Sequence, residues 1–364
     1  MKINDWITQI KRVRNPRPNN SALLRCDAAE RLNNFEPDFF QSFIQSLTQE
    51  DFITYPSFQD YETLKASIAS HINLESEHIY ISTGSDSCIK DVIQLTCSSG
   101  SEFISTSPCF PMYFVFAEMF KTRFVKVPYT QKSPPSVDSF LQAISDKTRL
   151  VILANPNSPV GDFRTKEEMN YLCAELEKRS ILFLIDEAYI DFAPHDSLDL
   201  IKRYQNVLVV RTFSKAWGGA GARVGYLMGN KKLISWVSNL QLTYPITGPS
   251  LKYVLHLLNN KEVVEAYIKS TIQSRDSLCS ILENNGYDVL RSHTNSIHFH
   301  EQNRNNQQSI DILEQHNVAF KSGNLKKGSR LSIPYDDRTT WIRMSVGPGI
   351  EYHSYIIEML SAQR

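Results

Sequence analysis

The chain has 364 residues, with 39 Lys+Arg against 39 Asp+Glu and 41% hydrophobic residues. Such a length and composition exclude a disordered chain or a disulfide-held miniprotein and leave room for one large domain or two. A formal net charge of zero gives no overall pull toward nucleic acid or an anionic membrane, so a charged partner has to be met locally.

The first residues, MKINDWITQIKRVR, lack the apolar core of a signal peptide, and no apolar run reaches membrane-spanning length, so a soluble cytoplasmic protein is expected. Six cysteines form no CxxC and no zinc spacing, and reduced thiols are expected. From about 78 to 229, short β-rich runs (HIYIST, EFIST, RFVKV, RLVILA, ILFLI, NVLVVRT, RVGYLM) alternate with segments of helical periodicity. That alternation predicts an α/β domain around a largely parallel sheet. Beyond it, a long helix is expected from about 261 to 285, then strands at YDVLR and SIHFH, a helix near 307–316, a strand at WIRMSV and a final helix to 364. These read as a smaller α+β unit. Residues 321–340 are polar and turn-rich and read as a surface loop or insertion. The expected division is an N-terminal arm with part of the small domain (1–45), a large domain (46–255) and a small C-terminal domain (256–364).

Ligands of open α/β sheets bind beyond the carboxyl ends of the strands. Four polar clusters fall at such ends: Gly84-Ser85-Asp86, Asn157-Ser158-Pro159, Asp186-Glu187-Ala188-Tyr189 and Ser214-Lys215. Five of the fourteen glycines lie between Gly218 and Gly229, but the Gly219–Gly225 spacing is one residue too long for a dinucleotide loop, and no ribose-binding acid follows. A nicotinamide oxidoreductase is therefore not expected. Residues 200–261 carry nine Lys/Arg and no carboxylate, which suits a fixed anion such as a phosphate.

Lys215 at a strand end could form an imine with an aldehyde, given neighbours that lower its pKa. Asp186, just past an apolar strand, would need a cation such as a protonated pyridine nitrogen, and Tyr189 could donate to a ring oxygen. Ser85 reads either as part of an ordinary helix cap or as part of an anion site at the helix end. Phe110, flanked by Pro108 and Pro111, reads as core or as a ring stacking on a planar cofactor. His298 and His300 share a strand face but find no third ligand, so no metal is expected.

GSD (84–86), Phe110, PNSPVG (156–161), DEAY (186–189), SKAW (214–217) with Arg223, and WIRMSVG (341–347) resemble, in order and spacing, the fold type I pyridoxal-phosphate-dependent aminotransferases of class I/II, histidinol-phosphate aminotransferases most of all. The resemblance runs over about 21–360. It implies an aspartate-aminotransferase-like α/β large domain with a smaller α+β domain, pyridoxal 5'-phosphate as cofactor, and a homodimer. It implies that Lys215 holds the cofactor, Asp186 pairs with its ring nitrogen, Tyr189 contacts its ring oxygen and Phe110 stacks on it. Ser85, Asp86, Thr212, Ser214 and Arg223 would meet its phosphate, with Tyr55 reaching across from the neighbouring subunit. Arg343 would grip the substrate carboxylate, with Asn295 and Lys321 on the substrate side.

Departures are equally informative. Ser158 stands where the family has an Asn against the ring oxygen, and Lys321 where it has an Arg for the substrate phosphate. An insertion follows, with Lys326, Lys327, Arg330 and Arg338. The expected reaction moves an amino group between glutamate and an anionic, phosphorylated keto or amine substrate. The alternatives are decarboxylation of an O-phospho amino acid and a catalytically silent cofactor-binding protein.

Overall fold

A computed structural model describes residues 5–10, 24–129, 133–302, 306–323 and 341–362. Lys326, Lys327, Arg330 and Arg338 lie outside the described residues. In chain order the strands are β1 (Leu24–Arg25), β2 (Ile79–Ser82), β3 (Glu102–Ser107), β4 (Arg123–Pro128), β5 (Thr148–Ala154), β6 (Leu182–Asp186), β7 (Val207–Thr212), β8 (Gly225–Gly229), β9 (Tyr287–Leu290), β10 (Ser296–Glu301), β11 (Val318–Ala319), β12 (Lys321–Gly323) and β13 (Trp341–Ser345). Seven of them form one sheet in the order β2-β8-β7-β6-β5-β3-β4, and β12-β13-β10-β9 form a second.

The large sheet is apolar on both faces because helices cover both. Ile104, Val151, Leu153, Phe183, Ile185 and Val209 pack against Leu64, Ile68, Leu172 and Leu176 of the helices Phe58–Ile72 and Lys166–Lys178. The alternate residues Phe103, Leu150, Ile152, Leu184 and Leu208 meet Ile89, Val92 and Phe116 of Gly84–Thr96 and Met112–Phe120 on the other face. Each such side chain stabilises the fold by roughly 1.5–3 kcal/mol. Ser57 with Asp60, and Thr165 with Glu168, form capping boxes that set where two of these helices begin.

One strand reverses the sheet. β8 is antiparallel to both β7 and β2, while the other pairs are parallel. The link from Thr212 to Gly225 holds only the short turn Ala220–Ala222, and without a crossover helix the chain cannot return to begin a parallel strand. It therefore re-enters the sheet at the edge it has just left. The carboxyl ends of β2, β5, β6 and β7 and the start of β8 consequently share one rim.

Helix Lys261–Asn284 packs Leu278, Cys279 and Leu282 on Ile297, Phe299, Ile342 and Met344 of the small sheet. β1 pairs with β11, which joins the segment near residue 24 to this part of the chain. Helices Lys231–Ser238 and Gly248–Asn259 were not expected from periodicity. The expected surface loop is corrected at its start: Lys321 and Ser322 pair with Arg343 and Ile342 and form an edge strand. No described helix is long and apolar enough to cross a membrane.

At Gly225 an added Cβ would run into the backbone of Gly84 and Ser85, whereas at Gly221 it would meet nothing within 4 Å. Gly225→Ala is expected to lower stability by about 1–3 kcal/mol and Gly221→Ala by less than about 0.5 kcal/mol, as measured by urea unfolding. Equal effects would contradict the close approach of β8 to the helix that starts at Gly84.

Candidate active site

Ten of the expected residues line one cavity of about 190 Å³ at the rim: Ser85, Asp86, Phe110, Ser158, Asp186, Tyr189, Thr212, Ser214, Lys215 and Arg223, together with Ala154 and Ala188. The chain brings them there from five strand ends and from the segment that precedes helix Met112–Phe120.

Asp186 closes β6. One carboxylate oxygen accepts from the Tyr113 hydroxyl at 2.7 Å and the other from the Ala188 amide at 3.1 Å. Burial pushes this carboxyl up to about 6 against the pull of those two donors. A cation seated against it would restore its charge, and Lys215 is one of the positive groups that already draws it down. Glu187, next along, points into the fold instead: the Ser197 amide donates to it at 2.7 Å and Arg211 Nε at 2.8 Å. Arg211 also donates to Asp196 at 2.9 Å, so this network braces β6 against β7 beneath the rim.

An anion-binding end lies at the other side of the cavity. Thr83 leaves the N-terminus of helix Gly84–Thr96 without a side-chain cap, because its hydroxyl donates to the Pro245 carbonyl. The first amides are thus left to a ligand, at the positive end of the helix. Arg223, in the left-handed region at φ +56°, folds its guanidinium over the same turn. Gly84, at φ +79°, makes that possible: a Cβ there would lie 2.7 Å from Arg223 Nη2. Arg223 donates to Ser214 Oγ at 3.4 Å, and Thr212 donates to the same oxygen at 3.0 Å.

Lys215 Nζ stands 5.5 Å from the Tyr189 ring centroid. Burial alone would raise the Tyr189 hydroxyl, but Lys215 and Arg343 outweigh it and the group lies below its ordinary value. Ser158 Oγ is 3.5 Å from the Tyr189 hydroxyl, a long contact. From the small sheet, Lys321 and Arg343 are cross-strand partners on β12 and β13. Burial, then Arg343, holds the Lys321 ammonium below its usual value, against the opposing pull of Asp27 and Tyr189.

Four expected residues do not line this cavity: Lys321 and Arg343, which lie in the small sheet, and Tyr55 and Asn295. Tyr55 is 75% exposed and stacks on Tyr244 at 4.3 Å, away from the cavity of its own chain. Asn295 does not line the cavity: it is fully buried, and its amide donates to the Ala29 carbonyl at 3.2 Å. Sequence reasoning missed Tyr113, which sits inside an aromatic helical run and reads there as core.

The family described as aminotransferase class I and II matches residues 31–357. The chain belongs to this family. It is similar to an aromatic amino acid aminotransferase of Corynebacterium glutamicum, 31% identical over 63% of this chain and 67% of the relative. It is also similar to a histidinol-phosphate aminotransferase of Methanosphaera stadtmanae, 30% identical over 66% and 65% respectively. Its fold matches the histidinol-phosphate aminotransferase of Sinorhizobium meliloti in complex with pyridoxal-5'-phosphate, with a TM-score of 0.75 at 23% identity over 93% of this chain and 89% of that one. The chain is an aminotransferase, and its cofactor is pyridoxal phosphate.

The residues fit that group. A buried carboxyl, at about 6 and short of a cation, faces an uncapped helix end with an arginine folded over it; one suits a ring nitrogen and the other a phosphate. Tyr113→Phe removes a donor that holds Asp186 down, so the carboxyl rises and loses its charge sooner as the pH falls. Cofactor retention by the aminotransferase is expected to weaken about threefold to tenfold near pH 6.5 and to recover above about pH 8, read by fluorescence titration of the cofactor-free protein. An equal loss at both pH values would mean that Tyr113 only packs.

Proposed function

We propose that this aminotransferase moves an amino group between glutamate and a substrate carrying at least two negative charges, one a carboxylate and the other a phosphate or a second carboxylate. The supporting observation is the charge at and near the cavity: Lys215 and Arg223 line it, with Asp186 as the buried carboxyl among its described lining residues, and Arg343, paired with Lys321 in the small sheet, bears on the Tyr189 hydroxyl. Arg223 and the helix end serve the cofactor phosphate. Lys321 and Arg343, cross-strand neighbours in the small sheet, are then left for the substrate.

Bound here, pyridoxal phosphate supplies an aldehyde for amine exchange and a ring that accepts an electron pair. Lys215 would hold the cofactor, and its amine would be the base that takes the proton from the substrate Cα. Asp186 would keep a proton on the ring nitrogen, and the Tyr113 hydroxyl and the Ala188 amide, which donate to Asp186, favour its charged form for that task. Phe110 would cover the ring, and Tyr189, in long contact with Ser158, would donate to the ring oxygen. Arg343 takes the carboxylate through its planar fork, and Lys321 the second anion as a point charge.

A second copy of the chain completes the site in this reading. Phe52, Ile53, Tyr55, Phe58 and Leu242 are each more than two thirds exposed, an apolar surface that a soluble monomer rarely carries. In the dimer Tyr55 reaches the partner's cofactor phosphate.

With glutamate, the loaded enzyme is expected to convert its cofactor absorbance to that of the amine form, and Lys215→Ala to lose at least about 10²–10⁴ in rate. Normal conversion by Lys215→Ala would refute the assignment of the lysine. Arg343→Leu and Lys321→Leu are each expected to raise KM about tenfold to a hundredfold, the latter only for substrates with a second anion. Carbon dioxide release without keto acid from an O-phospho amino acid would overturn transamination.

A further inference from the structure

The face of the small sheet that carries Lys321 and Arg343 continues onto β10, where it holds a residue with no task in the reading above. His298 is the cross-strand partner of Arg343, as Arg343 is of Lys321, and the row ends at Leu290 on β9. His298 is fully buried, and neither of its ring nitrogens has a hydrogen-bond partner among the described residues. Nε of Arg343 is buried without a partner as well. Two orphaned polar groups at neighbouring positions are costly, since a buried unpaired donor or acceptor forfeits its hydration without return.

The other histidine of the same motif shows the contrast. His300, one row along, has Nδ1 2.9 Å from the Glu301 carbonyl and Nε2 3.0 Å from Asp288. On the same face as His298, Leu290 and Trp341 pack with Val160 and Tyr129. Burial and the adjacent Arg343 hold the His298 imidazole well below its ordinary value, so it is neutral and has one nitrogen free to accept. Arg343 Nε can only donate. Cross-strand partners bring their Cβ atoms within about 4.5–5.5 Å, close enough for these two groups to meet after a side-chain rotation.

We propose that His298 is a positioning residue for Arg343: its unprotonated ring nitrogen accepts from Arg343 Nε when a carboxylate engages the guanidinium, turning both Nη groups toward the cavity. One hydrogen bond then satisfies both orphans and fixes the plane on which bidentate carboxylate recognition depends. This inference rests on the reading that Arg343 receives the substrate carboxylate.

The test follows the half-reaction of the loaded enzyme with glutamate, and with phenylalanine, by cofactor absorbance, which yields a limiting rate and a half-saturating concentration. His298→Leu is expected to raise the half-saturating concentration about tenfold and leave the limiting rate within about twofold, the loss of one buried hydrogen bond to a charged group. His298→Gln, which keeps an acceptor, is expected to recover most of that loss. His298→Met serves as a second apolar replacement in case the leucine variant fails to fold, with thermal melting as the control. If Arg343→Leu leaves half-saturation unchanged, the carboxylate reading itself fails. If Arg343→Leu raises it and neither apolar variant at 298 does, or if those variants lower only the limiting rate, His298 does not position Arg343.

Discussion

A carboxyl group at the end of a strand buried on both faces has to be answered by its surroundings, and much of the site follows from how Asp186 is answered. Two neutral donors, the Tyr113 hydroxyl and the Ala188 amide, partly offset its desolvation but leave it near 6. Tyr113 can reach it only because helix Met112–Phe120 packs across the sheet face beneath the rim, and Ala188 because the chain turns sharply after β6. What remains unanswered is a positive charge, and an aromatic nitrogen that binds a proton provides one. In the proposed reading the cofactor would complete an electrostatic arrangement that the protein builds only in part.

The second constraint is topological. The chain leaves β7 at Thr212 and has no crossover helix, so it comes back at the same rim through Lys215 to Arg223 before entering β8. One hairpin-like connection therefore delivers both the lysine and the arginine, on either side of a glycine-rich turn. Neutrality of the whole chain conceals this: the segment from 200 to 261 is wholly basic in its charges, and the compensating acids lie elsewhere.

Much of this was legible in the sequence because strand ends are legible. Apolar runs such as VILA and ILFLI mark buried strands, and Ser158, Asp186, Lys215 and Ser85 follow such runs within a few residues. Tyr113 was not legible, since a tyrosine among Phe and Met at helical spacing has the same pattern whether or not its hydroxyl has a partner. His298 read only as half of a metal motif, because the residue that gives it meaning is Arg343, 45 positions away and adjacent only through strand pairing. Asn295 illustrates the reverse. Its motif suggested the substrate side, but the backbone at Ala29 and Glu30 runs beside it and takes its amide. The short helix Lys231–Ser238 buries only Leu233, Ile234 and Val237, too few apolar positions to separate helix from turn without the sheet it rests on.

The cross-strand row Leu290–His298–Arg343–Lys321 belongs to a different sheet from the rim that cradles the cofactor. No strand is shared between the two, and the row meets the large sheet's side through electrostatics and through Leu290 packed near Val160 and Tyr129. In the reading proposed above, variation in what the enzyme accepts would fall on a sheet other than the one that carries Asp186 and Lys215. On that reading a lineage could drift from one amino acid to another through the neighbours of Arg343 on β10 and β12, while Arg343 itself and the rim stay fixed.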